Sequence, residues 1–66
     1  MTPDQLAYWN AELEYCQCLL EGFAADGVAM KGLLVRLKQL RMEDPGMGGL
    51  KDRFEAIESR ASELAG

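Results

Sequence analysis

The sequence predicts an all-α protein, and three observations carry that expectation. Apolar residues recur at alternating intervals of three and four along most of the chain, no stretch alternates with the period of a strand, and turn-forming residues cluster at two places, Asp26-Gly27 and 44-DPGMGG-49. Together they divide the 66 residues into three helices, expected over about 3–25, 28–43 and 50–65, within one small domain.

The first helix has a clear start. In Thr2-Pro3-Asp4-Gln5, Thr2 suits the N-cap, Pro3 the first helical position and Gln5 the reciprocal place in a capping box. From there Leu6, Trp9, Leu13, Cys16, Leu20 and Phe23 form a seam of the a/d type. A break near Gly27 is favoured, because Gly27 can take the left-handed position after a helix end. The seam continues in phase through Met30, Leu34 and Leu37, so a single helix over 3–43 stays open as an alternative. Helix 2 carries Met30, Leu33, Leu37 and Leu40 on one stripe and ends before Pro45. The glycines of 44–49 suggest a flexible connector. Helix 3 has Leu50, Phe54, Ile57, Ala61 and Leu64 at core spacing but no good side-chain cap at its start.

Charge is distributed by helix. Residues 1–29 hold Asp4, Glu12, Glu14, Glu21 and Asp26 without a basic residue, whereas 30–42 hold Lys31, Arg36, Lys38 and Arg41 without an acid. An antiparallel hairpin of the first two helices sets these opposite charges side by side, which selects pairing and register more than it stabilises. Lys31, Arg36, Lys38 and Arg41 are also the residues that would meet an acidic partner or an anion.

A second stripe on helix 1 bears on function. Tyr8, Tyr15 and Leu19 lie roughly 100° around the helix from the seam, with Glu12 among them. A helix apolar over so wide an arc needs cover from two directions. Helix 1 is also the longest, and the end bearing Tyr8 and Trp9 is expected to overhang helix 2. Tyr8, Trp9, Glu12, Tyr15 and Leu19 are therefore the candidate interface residues. For the tyrosines, packing between copies, packing within the chain and packing on a foreign protein all remain open. Glu12 either meets a partner's donor or accepts from a tyrosine hydroxyl.

A chain this short buries only ~60% of the surface its unfolded form exposes, so it leans on a disulfide, a metal or association with another chain. Cys16 and Cys18, two residues apart on a helix, point to different faces and form no framework. With no histidine, the chain lacks a zinc ligand set, and no metal or cofactor is expected. Association remains, with a homodimer through helix 1 favoured. The net charge of −4 disfavours general binding to nucleic acid or anionic membranes. No apolar segment approaches the ~20 residues of a membrane span. The start MTPDQL lacks the pattern of a signal peptide, and together with two unpaired thiols this suggests the cytoplasm.

No nucleophile–base pair can be picked out, and no catalytic residue is assigned. The leading expectation is a non-catalytic protein–protein interaction module: an adaptor, a chaperone-like subunit, or an inhibitor of a host protein of the phage or mobile-element type. Two alternatives stand beside it. One is an oligomeric binder of a nucleotide or metabolite, with its pocket between subunits. The other is a nucleic-acid-associated regulator using helix 2, although helix 3 is net acidic and ill suited to reading DNA.

Overall fold

The computed structural model describes all 66 residues. It is an all-α fold of three helices, α1 (Pro3–Gly22), α2 (Gly27–Glu43) and α3 (Lys51–Ala65), with a single 3-10 turn at Met47–Gly49. The capping box at the start of α1 is formed. Thr2 Oγ1 accepts from the Gln5 N–H at 3.2 Å, and Gln5 Oε1 accepts from the Thr2 N–H at 2.8 Å.

The first break lies earlier than expected, and Gly27 is not its left-handed residue. α1 stops at Gly22, and Asp26 becomes the N-cap of α2, its Oδ1 accepting from the N–H groups of Val28 (3.0 Å) and Ala29 (3.1 Å). Gly27 is thus the first residue of α2 rather than the last of a turn. The cap decides the boundary: an Asp in extended backbone (φ −101°, ψ 100°) satisfies two free N–H groups that a longer α1 would leave open. The single helix over 3–43 does not form, and α1 and α2 make an antiparallel hairpin.

The segment 44–49, expected as a flexible connector, is a compact hydrogen-bonded turn. Asp44 Oδ1 accepts from Gly46 N–H at 3.2 Å and Asp44 Oδ2 from Gly48 N–H at 2.9 Å. Further along, the Met47 N–H donates to Asp44 O, and the Leu50 N–H to Met47 O. Met47 (φ 51°) and Gly48 (φ 69°) both sit in the left-handed region, and both are buried. The start of α3 has no side-chain cap.

This turn determines what covers α1. Gly48 lies against the Trp9 indole so closely that a Cβ there would fall 2.3 Å from Trp9 Cγ. The indole also meets Phe54 edge-on, with ring centroids 6.0 Å apart. Trp9 is therefore 6% exposed, within the core, and not on a free overhang. The overhang fails because the connector folds back over the N-terminal half of α1 instead of trailing away. The rest of the core comes from Cys16 of α1, Met30, Leu33, Leu37 and Leu40 of α2, Met47 of the turn, and Phe54, Ile57 and Ala61 of α3. The α2–α3 packing is the most extensive in the molecule, and α1 lies more lightly across both. No helix is long and apolar enough to cross a membrane.

Candidate functional site

The second stripe of α1 faces the edge of α2, and the two helices share a groove of about 550 Å³ between them. Its walls are Tyr15 and Leu19 of α1, and its floor includes Ala29, Gly32 and Leu33 of α2, with Glu12 and Arg36 at one end. Helical spacing explains the grouping: 12, 15 and 19 share one side of α1, as 29, 32, 33 and 36 share one side of α2.

Each interface residue read from the sequence can now be placed. Tyr8 is partly covered; its hydroxyl donates to Glu43 Oε2 at 2.8 Å, and its ring stands edge-on to Trp9. That bond to a carboxylate, together with partial burial, raises the Tyr8 pKa above its ordinary value. Trp9 belongs to the core, as described. Glu12 is engaged within the chain: Arg36 Nη2 donates to Glu12 Oε1, forming the one ion pair that joins α1 to α2. Through that hydrogen bond first, and its charge second, Glu12 raises the Arg36 pKa. Tyr15 is 55% exposed and Leu19 half-buried, and neither makes a side-chain hydrogen bond as 42%-exposed Tyr8 does, so these two are the members of the stripe that no polar contact ties to α2.

The basic residues of α2 separate into two kinds. Arg36 pairs with Glu12, while Arg41 turns the other way and donates to both carboxylate oxygens of Glu58 on α3 at 3.0 and 3.1 Å. Charge pairing between α1 and α2 thus rests on Arg36 alone. Lys31 and Lys38 are exposed and join no ion pair.

Two features of this face were not singled out in the sequence. Val28, Val35 and Met42 are 81%, 57% and 77% exposed and recur every seven residues on the side of α2 opposite its core stripe. Between them lies Gly32, where an added Cβ would meet no atom within 4 Å. The interval of seven was available as a signal, but the stronger stripe of Met30, Leu33, Leu37 and Leu40 on the same helix masked it. A second groove, of about 640 Å³, lies on the opposite side of α1 against α3, and its lining includes Asn10, Glu14, Gln17 and Arg53.

The thiols differ. Cys16 is fully buried, and burial pushes its pKa up to about 11; Cys18 is exposed, and the two are unlinked. No three His, Cys, Asp or Glu side chains converge as a metal site. Comparison with known proteins finds no family, no curated protein and no solved structure that matches this chain.

The total exposed surface is 4323 Å², close to the ~4,200 Å² of a compact monomer of this mass. The chain closes its own core. Exposed apolar side chains remain at several places, among them Leu6 and Phe23, and one group of them is contiguous: Tyr15 with half-buried Leu19 on α1, continued across Gly32 by Val28, Val35 and Met42 on α2.

Proposed function

We propose that the chain is a non-catalytic protein–protein interaction module that docks through the face shared by α1 and α2. One observation carries the reading: exposed Tyr15 and half-buried Leu19 wall a groove floored in part by Gly32, which the chain's own three helices leave open. An aromatic anchor beside an aliphatic one, over an apolar floor that Gly32 keeps low, suits a helix laid into a groove. Relative to the sequence reading, the anchors narrow to Tyr15 and Leu19. Tyr8 and Glu12 act from behind, holding α1 to α2 through Glu43 and Arg36.

A photo-crosslinking residue placed at Tyr15 in native cells tests the proposal, with the same residue at exposed Ser59 on α3 as the control. The expected result is one discrete adduct from position 15 and none from position 59. An adduct with the mass of a second copy assigns the face to the homodimer, and a heavier one to a foreign protein. Equal yields from both positions, or none from either, refute the docking face.

A further inference from the structure

Resting on that reading, we infer the chemistry of the partner: the outer face of α2 receives an amphipathic α-helix that carries a row of carboxylates along one edge. Val28, Val35 and Met42 supply an apolar stripe that no part of the chain covers. Gly32 sits between the first two, in the interior of α2, where glycine weakens a helix. No internal packing asks for it, because the space above its Cα is open. A backbone free of Cβ allows another helix to approach closely at that point.

Charge selects the occupant. Lys31 and Lys38 line the edge of the stripe that faces away from α1, about 10 Å apart along the axis. Neither has a carboxylate partner, unlike Arg36 and Arg41 of the same helix. A helix seated on Val28, Val35 and Met42 therefore meets Tyr15 and Leu19 along one edge and two uncompensated ammonium groups along the other. Acidic side chains three, four or seven residues apart on that second edge reach both lysines.

A second copy of this chain fits poorly. Parallel pairing of two α2 stripes sets the lysines of one copy beside Gly32 and Gln39 of the other, with no carboxylate to meet, and antiparallel pairing about Val35 sets Lys31 of each copy beside Lys38 of the other. Like charges so placed oppose association. An anionic membrane is opposed by the net charge of −4, with Asp4, Glu14 and Glu21 all on the adjacent helix.

Fluorescence anisotropy of the full chain with two labelled model peptides tests this. Both peptides are 21-residue amphipathic helices with the same leucine stripe; one carries glutamates along one edge, the other lysines at the same positions. The glutamate peptide is expected to bind about tenfold more tightly than the lysine peptide, from two lysines contributing several-fold each. Lys31→Glu with Lys38→Glu reverses that preference. Val35→Asp, at an exposed site that leaves the circular dichroism unchanged, weakens the glutamate peptide by about tenfold or more. Gly32→Leu raises the melting temperature yet weakens binding, a combination that a folding defect does not produce.

Equal affinity for both peptides, binding by neither, or indifference to Val35→Asp overturns the inference. So does sedimentation with phosphatidylserine-containing vesicles in the absence of peptide binding, or a dimer that Val35→Asp dissolves. If position 15 crosslinks to a protein whose binding ignores the Lys31/Lys38 reversal, the docking face stands and the acidic-edge partner falls.

Discussion

Gly48→Ala adds one methyl group at a position where two separate costs meet. The first is conformational: at φ 69° a Cβ costs ~1–2 kcal/mol relative to glycine. The second is steric. The new carbon would stand 2.3 Å from Trp9 Cγ and 2.5 Å from Trp9 Cβ and Cδ1, whereas carbon atoms rest at ~3.5–4.0 Å. Either the indole leaves its place against Phe54 or the turn lifts from α1, and overpacking of this kind costs ~1–3 kcal/mol. The total of ~2–5 kcal/mol is a large share of the ~3–10 kcal/mol available to a chain of this size.

Gly49→Ala provides the control. Gly49 has a comparable φ of 83°, but a Cβ there meets nothing within 4 Å, so only the conformational cost applies. Urea unfolding, followed by Trp9 fluorescence and by circular dichroism, separates the two variants. With a slope near ~1 kcal/mol per molar, the Gly48 variant should unfold ~1–3 M earlier than the Gly49 variant. Coincident midpoints would show that the Trp9–Gly48 contact contributes nothing, and the account of how the turn covers α1 would be wrong.

Other expectations follow from the same geometry. In the native protein, Cys18 should react with a thiol reagent within minutes, while Cys16 should react only as fast as the fold opens; equal rates would contradict its burial. Because burial raises Cys16 from 9.0 to about 11, the fold favours the protonated thiol, so that part of its stability is complete below pH 9 and disappears as pH rises to about 11. The loss should be ~2 kcal/mol and absent in Cys16→Ala, with Tyr8 adding a loss of the same sign above pH 10. Asp26→Ala should cost ~1 kcal/mol in a denaturant titration, since it frees two N–H groups at the start of α2. Gly32→Ala should stabilise by ~1 kcal/mol, and a destabilised variant would mean that the space above Gly32 is not open.

The parts of this fold that were readable in advance are those written as local pattern. The three helices, the capping box at Thr2 and the core stripe of α2 follow from spacing and side-chain chemistry within a turn or two. The errors lie where two local rules competed, or where contact was distant in sequence. At 26–27 the pair Asp-Gly satisfies both a helix stop and a helix start, and the stronger hydrogen bonding of Asp26 decided in favour of the start. In 44–49 the glycines suggest freedom, but Gly48 is held against Trp9, 39 residues earlier. Nothing near Trp9 announces that partner, so the sequence alone points its ring to the outside. Tyr15 and Leu19 stand out in the sequence because an apolar arc too wide for one neighbour is itself a local signal. Val28, Val35 and Met42 do not stand out in the sequence because lysines interleave them, and a helix with one good stripe does not ask for another.

The burial of Trp9 and Cys16 has a consequence for synthesis. Both side chains are made before the residues that cover them: Trp9 is covered by Gly48 and Phe54, and the inner side of α1 rests on helices made later. At ~5–20 residues per second, α1 exists for seconds before the residues that shelter it are made. The α2–α3 pair, whose packing is richest, can close on itself as soon as it emerges. Of the three helices, α1 is made before those that house it. In that interval its tryptophan, two tyrosines and two thiols are open to any chaperone, or any competing chain, that reaches them.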